Sequence, residues 1–267
     1  MNIKKSLLAA VLFAGTFGAN AAIINDGQEA NLNEIINGVL IVDGQQVDVL
    51  GNTDANDAST SPYFRFTDNQ AATATFLIEI TGNFGDQTFG IFQGNNFVTL
   101  FDGSSTGSYT TSGGYNGPVV DAGLRTRVSF DFSGSSGDYD VYLNNTLEGT
   151  FSSAEFGFFL GSASGSRIYS DATLNSDGLE RFIAIQGKGQ HINLGSENTG
   201  DCAVDKLNSC AKWEDDDYIV AFEDGDDFDY NDLVVYVEDV TPVPEPSSMA
   251  FLGLGLMGLA LARRRIK

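Results

Sequence analysis

Val128-Ser129-Phe130-Asp131-Phe132 and Tyr139-Asp140-Val141-Tyr142-Leu143 stand on either side of a turn-rich stretch, Ser133 to Asp138. In the first segment Val128, Phe130 and Phe132 take every second position; in the second, Tyr139, Val141 and Leu143 do. Successive side chains of a strand point to opposite faces, so this period buries one face and leaves the other to polar groups. A helix would repeat its apolar residues every third or fourth position, and neither segment does so.

The same alternation continues outward. Ala74, Phe76, Ile78 and Ile80 alternate with Thr75, Leu77 and Glu79, and further strand-like runs are Thr88 to Gln93, Phe97 to Phe101, Phe156 to Leu160, Phe182 to Gln186, Tyr218 to Phe222 and Leu233 to Val237. The last run is apolar on both faces and is expected in the interior of a sheet. Turn signals fall between the runs at Gly94-Asn95-Asn96, Gly103 to Gly107, Tyr115-Asn116-Gly117-Pro118 and Asn144-Asn145. The expectation is an all-β chain folded as an antiparallel β-sandwich, of which the jelly roll is one form. One short N-terminal helix is expected, capped by Asn31, carrying Leu32, Ile35 and Ile36, and stopped at Gly38. No Pro-rich linker interrupts residues 22–240, which favours a single β-sandwich domain over 22–241.

Both ends carry targeting signals. Lys4 and Lys5, the apolar stretch Leu7 to Phe17 and the small-x-small Ala19-Asn20-Ala21 have the order of a secretory signal peptide over residues 1–21, cut before Ala22. At the other end Val243-Pro244-Glu245-Pro246 leads through Ser247 and Ser248 into an apolar run, Met249 to Ala262, and then Arg263, Arg264, Arg265, Ile266 and Lys267. As a helix those fourteen apolar residues reach about 21 Å against a hydrocarbon core of roughly 30 Å, a marginal span that suits transient membrane insertion. The arginines are expected to stay cytoplasmic, with the body of the chain outside. An ordinary C-terminal anchor would have the same orientation.

In that order, residues 242–267 resemble the PEP-CTERM sorting signal of Gram-negative bacteria, with Pro244, Glu245 and Pro246 as the motif and Arg263, Arg264 and Arg265 as its basic end. The resemblance implies secretion, recognition by an exosortase in the inner membrane, and delivery to the cell surface or the exopolysaccharide matrix.

The chain has 36 acidic and 14 basic residues, a net charge of −22. Six of the basic residues and only one acid, Glu245, lie in the two end segments, so the body between them stands at −27. Such a body repels nucleic acid and attracts cations. Cys202 and Cys210, an even pair in an exported polar loop, are expected to form a disulfide that staples it.

Residues 214–232 hold ten carboxylates in nineteen positions and no basic residue. They flank the strand Tyr218 to Phe222 and fill the hairpin that follows it. Closing that hairpin brings Glu223 and Asp224 against Asn231 and Asp232, and crowded carboxylates need a proton or a cation. Glu223, Asp224, Asp227, Asp229, Asn231 and Asp232 are therefore the candidate metal ligands. Ca²⁺ is the candidate ion, because it accepts six to eight oxygens in loose geometry, whereas Zn²⁺ prefers His or Cys and the chain has one histidine, His191. Asp227-x-Asp229-x-Asn231 has EF-hand spacing, but Asp232 occupies the position of the required glycine and the flanks read as strands. A solvated acidic hairpin without an ion is the alternative.

Phe222-Glu223-Asp224 with Asp229-Tyr230-Asn231-Asp232-Leu233 also resembles the ending of an uncharacterised family of exported bacterial β domains suspected of binding calcium. Segments such as Phe76 to Ile80, Thr88 to Phe92, Phe156 to Leu160 and Leu174 to Gly178 extend the resemblance upstream. Where that family often has a histidine after Asn-x-Asp-Gly, this chain has Glu180-Arg181.

The resulting expectation is a non-catalytic, Ca²⁺-stabilised binding or structural domain. His191 lies in a polar Gly-Gln-His-Ile-Asn stretch with no nucleophile motif near it. Lectin-like sugar binding is an alternative, with Tyr109, Tyr115, Tyr169 and Trp213 as unassigned aromatic candidates. A glycoside hydrolase is a more distant one, since two carboxylates suffice for that chemistry.

Overall fold

The computed structural model describes residues 31–47, 49, 61–67, 71–78, 87–102, 125–132, 138–162, 164–194 and 202–243. The expected signal peptide, the Pro-Glu-Pro motif with its three arginines and the hydrophobic sorting helix lie outside these residues, as do Tyr109, Tyr115 and the turn signals between residues 103 and 118. Among the described residues, no helix is long and apolar enough to cross a membrane.

The described strands are β1 (Tyr63–Phe66), β2 (Ala71–Ile78), β3 (Thr88–Gln93), β4 (Asn96–Asp102), β5 (Arg125–Phe132), β6 (Tyr139–Leu143), β7 (Thr146–Phe151), β8 (Phe156–Gly161), β9 (Arg167–Tyr169), β10 (Phe182–Gln186), β11 (Gln190–Ile192), β12 (Ala211–Trp213), β13 (Tyr218–Phe222), β14 (Leu233–Val237) and β15 (Val240–Pro242). A seven-stranded sheet runs β10-β13-β14-β2-β5-β6-β7, and a six-stranded sheet runs β15-β1-β8-β3-β4 with β9 added to β8. Every pairing in both is antiparallel. With six and seven strands, the sandwich exceeds the eight of a jelly roll.

The sheets face each other across an aromatic core. From the six-stranded sheet come Phe64, Phe89, Phe156 and Phe158; from the seven-stranded sheet come Val128, Phe130, Val141, Phe182, Val220 and Phe222. Rings meet across the gap: Phe64 and Tyr218 at 5.6 Å, Phe158 and Phe182 at 6.0 Å, Phe130 and Phe156 at 5.5 Å. Each such buried aromatic contributes about 2–3 kcal/mol by removal from water.

One end of the seven-stranded sheet is buried on its second face as well. Ile183 and Ile185 of β10, Ile219 and Ala221 of β13, and Val234 and Tyr236 of β14 pack against Leu32, Ile35, Ile36, Leu40, Ile192 and Trp213. This third layer explains why Tyr218–Phe222 and Leu233–Val237 are buried at every position. At the other end of the same sheet, the described side chains of β5 and β6 bury only Val128, Phe130 and Val141 fully, so their alternation stays visible in the sequence.

The layer begins with helix α1 (Leu32–Ile35), where Asn31 Oδ1 accepts the Glu34 N–H at 3.0 Å. Gly38 does not stop it. The chain continues through a π-helical turn, Ile36–Leu40, closed by the Ile41 N–H donating to Ile36 O at 2.9 Å. Burial of Leu40 and Ile41 against the sheet favours the wider turn over the glycine stop. The β11–β12 hairpin completes the layer, with Trp213 fully buried.

The β3–β4 turn uses Gly94 at φ +57°, and the β6–β7 turn uses Asn144 and Asn145 at φ +47° and +71°. Paired left-handed residues give the hairpin twist its hand, as the Asn-Asn signal implied.

Candidate metal centre

Strands β13 and β14 pair antiparallel from Tyr218 with Val237 to Phe222 with Leu233, and residues 223–232 form the loop between them. Glu223 is fully buried at its entrance. Its Oε1 accepts the Gly225 N–H at 2.7 Å and its Oε2 the Tyr230 N–H at 3.2 Å, so one carboxylate staples both arms of the loop. The same carboxylate also makes a side-chain hydrogen bond with Asp232.

The path between those arms needs unusual backbone. Phe228 and Tyr230 both sit at φ +55°, a left-handed conformation that side chains other than glycine rarely take. Burial of Tyr230 in the third layer, with its hydroxyl donating to Glu180 O at 2.7 Å, and the Leu32 N–H on Asp229 O at 2.9 Å hold it there. Helix α1 thus sets the position of Asp229 through a backbone bond.

Two carboxylate triads result, and both contain Glu223. Glu223, Asp227 and Asp229 can bring ligand oxygens within 4.8 Å of one another, and so can Glu223, Asp224 and Asp232. Asp229 is buried and accepts the Asn231 N–H at 3.2 Å and its side-chain amide at 2.6 Å. Asp232 Oδ2 accepts the Asp224 N–H at 2.5 Å, and Gln87 donates to Asp224 at 2.6 Å. The five carboxylates named from the sequence are therefore brought together, with Asn231 beside them as a donor to Asp229.

The electrostatics fit a cation. Burial, and then the neighbouring Asp224, push the Asp232 carboxyl up to about 9. Burial is also the main cause that raises Glu223, with the charge of Asp227 adding to it. Without a counter-ion the hairpin keeps a proton, because full ionisation sets like charges against each other in a poorly solvated place. The oxygen-only donor set is one that could hold a metal ion.

Arg181 lies outside the acidic segment in sequence but is part of this neighbourhood. Its Nε meets Asp177 Oδ2 at 2.7 Å, one Nη donates to Gly225 O, and the other lies 3.4 Å from the exposed Asp226. The guanidinium also stands 5.4 Å from the Phe228 ring centre. Its charge offsets part of the loop's negative charge, that of Glu223 included. Only the fold, which places β10 beside β13, brings it there.

A third carboxylate group, Asp216, Asp217 and Asp239, joins the turn before β13 to the turn after β14. Asp217 is buried and accepts the Tyr236 hydroxyl at 2.6 Å, the Glu214 N–H at 3.0 Å and the Asp239 N–H at 3.2 Å. Burial raises its carboxyl to about 6, and the Tyr236 bond works against that rise. Its partners make it a clasp between turns.

Cys202 and Cys210 are joined by a disulfide. His191 is half-buried, and its Nδ1 lies 3.1 Å from Asp43 Oδ2. Trp213, one of the sugar-stacking candidates, is buried with its Nε1–H donating to Asp217 O at 3.1 Å, so it serves packing. Tyr169 is half-buried on the outer face of the six-stranded sheet, against Phe92 at 5.0 Å.

No curated protein and no solved structure matches this chain. Its C-terminal residues 242–265 match the PEP-CTERM protein-sorting motif, which marks an exported protein that is sorted by an exosortase to the cell surface.

Proposed function

We propose that the exported body is a non-catalytic binding or structural domain of the cell surface or exopolysaccharide matrix, stabilised by Ca²⁺ in the β13–β14 loop. The observation that carries the reading is the pair of triads sharing buried Glu223, with Asp224 and Asp232 on one side and Asp227 and Asp229 on the other. In this role Glu223 and Asp229 supply the fixed oxygens, Asp224, Asp227 and Asp232 close around the ion, and the bound ion ties β13 to β14. Transient insertion of residues 249–262 then serves processing.

Thermal melting of the full chain with and without millimolar Ca²⁺ tests this. Ca²⁺ raises the melting temperature by several degrees, and the Asp229→Ala, Asp232→Ala double variant abolishes the rise. An unchanged melting temperature in the parent protein would refute the calcium role.

Sugar binding is the second reading. The observation that favours it is the guanidinium of exposed Arg167, which lies 4.1 Å from the Phe97 ring centre on the aromatic outer face that also holds Tyr63 and Tyr169. Pull-down on purified exopolysaccharide separates this reading from a scaffold role, and a glycan hydrolysis assay separates both from an enzyme.

A further inference from the structure

The sorting motif and the folded domain share residues. The matched motif begins at Pro242, which is also the last residue of β15 at the edge of the six-stranded sheet. Pro242 stands opposite Phe64 in register. The next residue, Val243, donates its N–H to Tyr63 O at 2.8 Å, and its carbonyl accepts the Ser61 hydroxyl at 2.5 Å. Ser61 is itself buried, and its hydroxyl lies 2.8 Å from Tyr63 O, so it bridges the entry to β1 and the exit from β15. Pro244-Glu245-Pro246 follows with no spacer.

The hold on β15 is uneven. Val240 is fully buried in the core between the sheets, and its N–H donates to Asp216 O at 2.8 Å. Thr241, Pro242 and Val243 are only half-buried, and Pro242 has no N–H to give to the ladder. A strand end of this kind opens from its tip and stops at the first deeply buried residue, here Val240.

We propose that β15 gates sorting: exosortase engages Pro244-Glu245-Pro246 only when Thr241, Pro242 and Val243 have left the sheet edge. The proposal rests on the sorting reading of the tail. Residues 244–248 separate Val243 from the apolar run, and five extended residues span at most about 17 Å. An enzyme working between a folded domain and a membrane has little space in that interval. Release of three more residues adds about 10 Å and frees the chain on the N-terminal side of the motif. When opening and closing are fast, processing follows the open population, so any contact that holds the tip slows it.

The test follows tail removal by mass in cells that carry an exosortase, using the full chain. Three forms are compared with the parent: Ser61→Ala, a Gly-Ser-Gly-Ser insertion between Val243 and Pro244, and a triple Pro244→Ala, Glu245→Ala, Pro246→Ala variant. Loss of the Ser61 hydroxyl, which bonds Val243 O and both polar groups of the Tyr63 backbone, speeds processing at least about fivefold, and the insertion speeds it by a similar factor. The triple variant stays unprocessed. If the triple variant is processed like the parent, the sorting reading itself fails. If it is blocked while the insertion leaves processing unchanged or slower, sorting stands and the gate is overturned. The insertion lies beyond β15, so it decides the matter even if Ser61→Ala does not fold.

Discussion

Phe159 covers Gly90, its register partner across β8 and β3, and two positions along the same strands Phe92 covers Gly157. A methyl group on Gly90 would lie 2.6 Å from the Phe159 ring and would also strike the Val98 carbonyl; one on Gly157 would strike the Phe92 ring and lie 2.9 Å from Ser170 Oγ. The reciprocal pairs let two large rings lie close to the backbone on the outer face of the six-stranded sheet. Both rings are nearly inaccessible to water there, at 1% for Phe92 and 2% for Phe159.

Gly90→Ala is therefore expected to destabilise the domain by about 2–3 kcal/mol, since a backbone carbonyl cannot move aside as a flexible side chain would. Gly38→Ala, where nothing lies within 4 Å, is expected to be neutral or slightly stabilising. Urea denaturation of both variants checks the contrast.

Three carboxyls, buried Asp217 and half-buried Glu180 and Asp232, set the pH response. Asp232 is pushed up to about 9, Glu180 to about 7 and Asp217 to about 6, in each case chiefly by burial. Between the ordinary carboxylate value of about 4 and these raised values, the folded state holds protons that the unfolded chain has lost, so stability falls as pH rises. The Ca²⁺-free protein is expected to lose stability from about pH 4 upward, with Asp232 extending the loss toward pH 9. Bound Ca²⁺ takes the place of that proton, so the gain in melting temperature from Ca²⁺ grows between pH 5 and pH 8. A gain that does not vary with pH would show that ion and proton do not compete.

Arg181 and a bound ion act on the same negative loop. Arg181→Met removes the contacts to Asp177, Gly225 and Asp226 and is expected to cost about 2 kcal/mol in the absence of Ca²⁺. The uncompensated charge left behind strengthens the attraction for a divalent ion, so Ca²⁺ binds the variant more tightly than the parent. Calorimetric titration with Ca²⁺ measures the second effect, and denaturation with a chelator measures the first.

The disulfide closes a short loop, with Cys210 eight positions after Cys202. Chain entropy for a loop of that size gives a stabilisation of about 2.5 kcal/mol, which a Cys202→Ser, Cys210→Ser pair should remove. The difference between the parent protein and this variant in guanidinium denaturation checks it.

Long strands were legible because burial on one or both faces leaves a mark on every residue. Thr88–Gln93, Phe182–Gln186, Tyr218–Phe222 and Leu233–Val237 have the limits expected from their apolar runs. Strand β7 was not legible: it is an edge strand that buries only Phe151 fully, and Leu147 is 55% exposed. β9, β11, β12 and β15 have three residues each, too few to show a period, and exist because a neighbouring strand offers them hydrogen bonds.

Pattern and composition alone established the antiparallel β class, the C-terminal sorting motif and the acidic density of residues 214–232. Each of these is a local property of pattern or composition. The way the acids divide came from the packing of the strands: Glu223 joins Asp224, Asp227, Asp229 and Asp232 in one loop, while Asp216 and Asp217 join Asp239 at the opposite end of β13. That packing also decided that Arg181 reaches the rim of that loop and that Pro242 belongs both to the sheet and to the sorting motif. These relationships depend on which strands lie side by side. That order is set by burying two sheet faces and a helix at once, which no single stretch of sequence records.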